Sequence, residues 1–359
     1  MLQADFNNTV GRCNDGQPGA MNQCFWVKIY YGKLYIVRAV DSPEPRGRLF
    51  IYMLQRTLDV MNGLGVSIPN VEFGFYVADS GGGNFMTWDH DRIVDKSGSF
   101  LLPDWAFVDW IFIRGKNSTW HRLRHTMYHL GKSLPYEKRV NKFVFRGVNS
   151  SQARVDLIDK YNNDEVIADV KYFEWATHAH TYLSVEDLCK YKYIIYAEGF
   201  GFSARLKYLL LCGSTILTHN FRYEDMSLAA LRPNEDYYET GERWENLTEV
   251  YHRLEAQDQV KAAAQARALA DSYYDFTSER GLACYIEELL WQWYDNAQTW
   301  KVAAPNESVE IPMDSMYRMA VPYVGKNQDG SPVCLPVHTD CQPPVWGGAA
   351  GAAAMAGKT

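Results

Sequence analysis

Cys189-Lys190-Tyr191-Lys192-Tyr193-Ile194-Ile195-Tyr196-Ala197-Glu198-Gly199-Phe200-Gly201-Phe202-Ser203-Ala204-Arg205-Leu206-Lys207-Tyr208-Leu209-Leu210-Leu211-Cys212-Gly213-Ser214 reads as strand, glycine turn and basic helix start. The strand is expected from Lys192 to Ala197. The helix is expected from Ser203 to Cys212. A turn of this kind sets backbone N–H groups and a positive helix end against phosphate, and Arg205 and Lys207 add full charges. On the residues alone, a plain strand-to-helix connection with a surface arginine reads as well.

Outward from this segment the pattern is βαβαβ. A strand over Lys142 to Phe145, a helix over Ser151 to Tyr161, a short strand near Asp169 and a strand over Thr215 to Thr218 make a parallel nucleotide-type unit. Upstream, Phe25 to Val40 reads as strand-rich around a Gly32-Lys33 turn. From Arg48 to Met61, Phe50, Met53, Leu54, Leu58 and Met61 recur at three and four, as in an amphipathic helix. Val71 to Ala78 is a second apolar strand, and Asp79 stands at its carboxyl end. Ligands of open α/β sheets bind at that edge, which makes Asp79 a candidate for chemistry, with a turn-capping carboxylate as the alternative.

Trp120 to Leu130 is expected to be a helix ending at Gly131, and Lys132 to Lys142 a linker. Gln257 to Tyr273 and Ser278 to Trp293 read as helices, the second with Leu282, Ile286, Leu289 and Trp293 on one face and Ser278 as N-cap. The expected organisation is therefore an irregular segment over 1–24, a Rossmann-like domain over 25–135 and a second over 142–275. A crossover helix over 276–300 and an extended or disordered Pro/Gly/Ala-rich tail over 301–359 follow.

Composition narrows the function. The 359 residues include 47% hydrophobic and 22% charged, with a net charge of −7, which suits two soluble domains and disfavours a nucleic-acid binder. No run of eighteen apolar residues exists, so any membrane anchor is expected to lie outside this chain. Eleven Trp and 24 Tyr suit sugar faces or interfaces, although core packing accounts for most of them. Asn-x-Ser/Thr sites at Asn7, Asn117, Asn149, Asn246 and Asn306, with seven cysteines in no metal-binding spacing, point to the secretory lumen, in the Golgi or endoplasmic reticulum. By proximity Cys13 pairs with Cys24 and Cys334 with Cys341, leaving Cys284 buried and free.

Two further patterns carry less. Asp89-His90-Asp91 is the acidic pair with which some transferases hold Mn²⁺, but it follows no apolar strand and is read as a solvated loop. His121, His125 and His129 share a helix face at zinc-compatible spacing, yet Arg122 and Arg124 would repel a cation.

The segment from Cys189 to Ser214 closely resembles the sugar-nucleotide motif of glycosyltransferase family 90. Ile68-Pro69-Asn70-Val71-Glu72-Phe73 leading to Asp79, and Phe145-Arg146-Gly147 followed by Arg154 and Asp156, match in the same order, as does Leu102 to Phe107 more loosely. The resemblance covers about residues 65 to 295. It implies a GT-B fold: two Rossmann-like domains face each other across a cleft, the C-terminal helices pack back on both, and the C-terminal domain holds UDP. It implies an inverting transferase without metal or other cofactor that moves glucose or xylose from a UDP-sugar to a hydroxyl of a glycan or protein acceptor. Asp79 falls at the catalytic base. Arg146, Gly147, Arg154, Gly199, Phe200, Gly201, Phe202, Ser203, Ala204 and Arg205 fall at donor positions, and Trp105 and Phe107 where the sugar and acceptor site is lined. It also implies a Cys189–Cys212 disulfide. Ser80-Gly81-Gly82-Gly83 departs from the family's proline-containing turn on the acceptor side. Two competing expectations remain: an inactive carbohydrate-binding or chaperone-like protein on the same fold, and a metal-dependent transferase using Asp89 and Asp91.

Overall fold

The computed structural model describes residues 24–40, 46–77, 88–89, 91–93, 100–108, 119–174, 177–306 and 311–312. Along the chain run β1 (Cys24–Tyr30), β2 (Lys33–Val40), α1 (Arg46–Gly63), β3 (Val71–Tyr76), β4 (Trp88–Asp89), β5 (Asp91–Ile93), β6 (Phe100–Leu101) and α2 (Trp120–Ser133). They are followed by β7 (Val140–Gly147), α3 (Gln152–Tyr161), β8 (Ala168–Tyr172), β9 (Tyr191–Tyr196), β10 (Thr215–Thr218), β11 (Tyr223–Asp225) and β12 (Tyr237–Glu239). Last come α4 (Leu247–Glu255), α5 (Gln259–Phe276), α6 (Glu279–Asn296) and β13 (Ile311–Pro312), with single helical turns between. The chain divides into two units: unit 1 holds residues up to Arg122 and again from Thr277, and unit 2 holds Leu123–Phe276.

Unit 1 is built on a mixed sheet in the order β13-β2-β1-β3-β4-β6. β1 pairs antiparallel with β2 and β3, whereas β3, β4 and β6 run parallel. The apolar spacing read in α1 is its buried face: Leu49, Phe50, Met53, Leu54, Leu58 and Met61 are all sealed. Phe25 stacks on Phe75 at 4.9 Å and Phe50 meets Phe75 edge-on. α6 starts where Ser278 accepts a hydrogen bond from Gly281 N, and buries Leu282, Ile286, Leu289 and Trp293 on the face expected. It packs against α1 and β3.

Unit 2 is a five-stranded, wholly parallel sheet in the order β12-β10-β9-β7-β8. Its core joins Phe143, Phe145, Leu157, Val170, Tyr193, Ile195 and Leu217 to Trp244, Leu247, Val250 and Leu254. Cys189, just before β9, is disulfide-bonded to Cys212, just before β10.

Several local expectations are corrected. α2 runs past Gly131 to Ser133; the glycine is there because a Cβ would lie 2.2 Å from the Cys212 carbonyl oxygen. The stretch read as a linker is anchored by Arg139, which is buried and donates to Gly131 O, Leu134 O, Gly213 O and Ser214 Oγ. The helix expected from Ser203 begins only at Leu206. Asp89 and Asp91 lie on short strands, not in a loop. Within the supposed tail, β13 pairs Ile311 with Ile36 and Pro312 with Tyr35, completing an edge of the unit 1 sheet. Cys284 is free but exposed, on the side of α6 away from its buried stripe. Cys24 is disulfide-bonded, and Cys13, Cys334 and Cys341 lie outside the described residues.

Candidate active site

In chain order the unit 2 strands run β7, β8, β9, β10, β12, but in space β8 and β9 flank β7 on opposite sides. The connections therefore leave β7 to one side and continue from β9 to the other. The crevice beyond the carboxyl ends of β7 and β9 is the topological switch point, where open α/β sheets bind ligands. Arg146 and Gly147 end β7, and Ala197 to Arg205 follow β9. The fold thus brings the candidate donor residues to that edge.

The centre is a pair of arginines. Arg154 lies in the first turn of α3, whose N-cap Ser151 accepts from Arg154 N and donates to Glu198 O at 2.7 Å. Its guanidinium is buried and gives Nε and Nη2 to Ala197 O at 3.3 and 3.1 Å. Arg205, partly buried, donates Nη1 to Arg146 O. The two guanidinium carbons stand 5.9 and 6.0 Å from the Phe145 ring centre. Neither forms an ion pair among the described residues. Burial, then the charge of Arg205, pushes Arg154 down to about 9; burial pushes Arg205 down to about 10. Both stay charged at neutral pH: two adjacent cations donate to carbonyl oxygens and form no ion pair, with the buried Glu198 carboxylate close enough to act on Arg154. Such a pair is completed by an oxyanion.

The glycines make room for it. A Cβ on Gly147 would lie 2.7 Å from the Phe145 ring and 3.5 Å from Arg154 Nη1; one on Gly199 would lie 3.2 Å from Ser150 Oγ and 3.5 Å from Arg154 Nη2. Phe200 is 74% exposed, whereas Gly201 and Ser203 are buried and Phe202 and Ala204 partly so. Ser203 N donates to Tyr196 Oη.

Arg146 behaves differently. Its guanidinium donates to Thr181 O, Phe145 O, Asp169 O and Asp169 Oδ1, each within 2.9 Å. It braces β7 to β8, and what it offers the site is its carbonyl, which holds Arg205.

Two residues unassigned from sequence complete the surroundings. Glu198, buried, accepts from Arg222 N and Tyr223 N, fixing the segment after β10. His219 accepts from Glu198 N at Nε2 and sits 2.7 Å from Asn220 O at Nδ1. Burial pushes its pKa down to about 4, with the charge of Arg154 acting the same way. It is neutral and adds no third cation. The rule that picked Asp79, a polar residue at a strand's carboxyl end, would also have picked His219.

In unit 1, Asp79 lies outside the described residues. Two residues before it, Val77 O accepts from Arg46 Nη1, and the same guanidinium lies 5.2 Å from the Trp105 ring centre. Arg46 thus ties the end of β3 to Trp105. Phe107 is buried edge-on against Trp120 at 4.9 Å, so it supports this surface from within. His125 lies against His129 at 4.5 Å and its Nδ1 meets Tyr274 Oη at 2.6 Å. Among the described residues no three His, Cys, Asp or Glu side chains group as metal ligands do.

The two guanidiniums and the glycines at the switch point of the parallel sheet make this edge the candidate ligand site of unit 2. The chain belongs to glycosyl transferase family 90, whose sequence model it matches over residues 88–349; Asp79 lies before that match. It is 24% identical to O-glucosyltransferase rumi of Drosophila melanogaster over 215 residues, 52% of this chain and 50% of the relative. It is 24% identical to protein O-glucosyltransferase 1 of Homo sapiens over 209 residues, 53% and 52% of the two chains. With protein O-glucosyltransferase 2 of Danio rerio it shares 27% over 195 residues, 51% and 38%. The chain spans about half the length of the first of these relatives.

Proposed function

We propose that the chain is an inverting glycosyltransferase that moves glucose or xylose from a UDP-sugar to a hydroxyl of a glycan or protein, with no metal. The observation that carries this reading is the Arg154–Arg205 pair at the switch point, held by carbonyls and without an ion-pair partner among the described residues. A leaving diphosphate needs fixed positive charge as its bond to the sugar breaks, and two guanidiniums held by carbonyls supply it without reorganisation. Gly147 and Gly199 let the phosphates approach the backbone, and exposed Phe200 offers a ring at the rim. The relatives' names carry glucose, which favours it as the sugar transferred.

On this reading the units form a GT-B pair, unit 2 holding UDP and unit 1 the acceptor. Asp79 takes the acceptor hydroxyl's proton while UDP departs from the opposite face of the sugar. The position of Asp79 in the sequence, three residues after the end of β3, supports that role. A secretory lumen suits the Cys189–Cys212 disulfide and the exposed Asn149, Asn246 and Asn306. Among the described residues no helix is long and apolar enough to cross a membrane.

The test is UDP release from UDP-glucose and UDP-xylose in the presence of acceptor sugars and peptides, with UDP binding followed by calorimetry. Binding and turnover are expected with one of the two donors; a protein that holds sugar and never releases UDP overturns the transferase reading. Asp79→Asn is expected to lower turnover by about 10² to 10⁴ with UDP affinity unchanged. Near-wild-type turnover of the folded variant removes Asp79 from the mechanism.

A further inference from the structure

A second aromatic-lined feature lies in unit 1, apart from every residue assigned above. The last turns of α6, the segment after it and the approach to β3 enclose a groove of about 680 Å³. Its floor is fixed. Gln298 accepts from Glu72 N at 2.9 Å and donates to Asn70 O at 3.1 Å. Trp300 Nε1 donates at 3.4 Å to the Glu72 carboxylate, which also holds Trp26 Nε1 at 2.8 Å. Behind it Trp293, fully buried, donates to Glu72 O.

The rim is of another kind. Trp291 and Tyr294, three apart and so on one helix face, hold their rings 5.7 Å apart at 85°. Tyr294 is 45% exposed and Trp291 partly exposed. Asp295 and Lys301 stand beside them. Among the described residues, Trp291 Nε1, Tyr294 Oη, the Asp295 carboxylate and the Lys301 ammonium have no hydrogen-bond partner.

We propose that this groove binds a neutral oligosaccharide. A rigid floor with two rings at an angle presents apolar faces that match the C–H faces of pyranose rings, at little ordering cost. The free donors and acceptors around those rings call for a ligand rich in hydroxyls. An apolar peptide would strip them of water and return nothing. One carboxylate and one ammonium cancel, so the rim selects no net charge. The volume lies within the roughly 300–1,000 Å³ of small-ligand sites. Sugar binding here involves neither the Arg154–Arg205 pair nor Asp79, and is independent of whether the chain transfers sugar.

The test titrates the whole protein with maltotriose, xylotriose and mannotriose, read by tryptophan fluorescence and by saturation-transfer NMR. At least one is expected to bind saturably in the millimolar range. Tyr294→Ala, an exposed position, and Trp291→Ala are each expected to weaken that binding roughly tenfold, with circular dichroism and UDP affinity as in the wild type. If none of the three sugars binds saturably, the proposal is overturned. It is overturned equally if binding is indifferent to both substitutions, which would place the sugar elsewhere. Failure here leaves UDP binding and release to be judged on their own.

Discussion

Arg154 and Arg205 differ from Arg146 and Arg243 in what they lack. Arg146 has Asp169 at 2.7 Å and Arg243 has Asp156 at 2.7 Å; the pair at the switch point has carbonyls. Arg205→Ala is expected to weaken UDP binding by about 1.5–3 kcal/mol, the worth of a charge-assisted contact, and calorimetry reads it directly. Unchanged affinity would turn the arginine into a brace for β7. His219 gives a test of the same region without ligand. Its pKa is about 4 in the fold against 6.5 ordinarily, so between those values the unfolded chain binds the extra proton. Stability is therefore expected to fall as pH drops through that window, by up to about 3 kcal/mol for this residue. His219→Gln keeps side-chain hydrogen-bonding groups but cannot titrate. Denaturant unfolding at pH 7 and pH 4 should show a smaller acid loss for the variant; equal losses would assign the effect to other groups.

At the level of elements, what could be read in advance depended on whether the signal was local. The strands and helix of unit 2 declared themselves because each buried both faces of a strand or one stripe of a helix: β9, α3 and β10 stand within a few residues of where apolar runs put them. The donor-side constellation was legible for the same reason, since chain order alone sends Gly147 and Gly199 to one sheet edge. Long-range causes stayed hidden. Gly131 looked like a helix stop, but its reason lies eighty residues away in the Cys212 backbone. Sequence likewise does not reveal that the Arg146 guanidinium is held by Thr181 O, Phe145 O and Asp169. β13 had no local pattern, because its partner among the described residues is β2. Gly131→Ala follows from this. Helix propensity favours the change by about 1 kcal/mol, yet the methyl meets a backbone carbonyl, so a net loss of about 1–3 kcal/mol is expected in thermal unfolding. A stabilised variant would show that α2 can shift away from Cys212 without cost.

For the whole molecule, the question is where the charge that meets the leaving group comes from. If the arginines supply it, turnover persists in EDTA. Loss of activity with chelator, restored by Mn²⁺, would move the chemistry to Asp89 and Asp91 on β4 and β5. The division of the chain has a consequence for its biosynthesis. Unit 1 begins before α1 and resumes only at Thr277, with all of unit 2 between. A translating ribosome therefore emits α1 and β3, which pack against α6, and then makes Leu123–Phe276 before delivering that helix. At 5–20 residues per second that takes about 8–30 s. For that interval the half-built unit lacks the helix that packs on α1 and β3, and its neighbour is complete only as the interval ends.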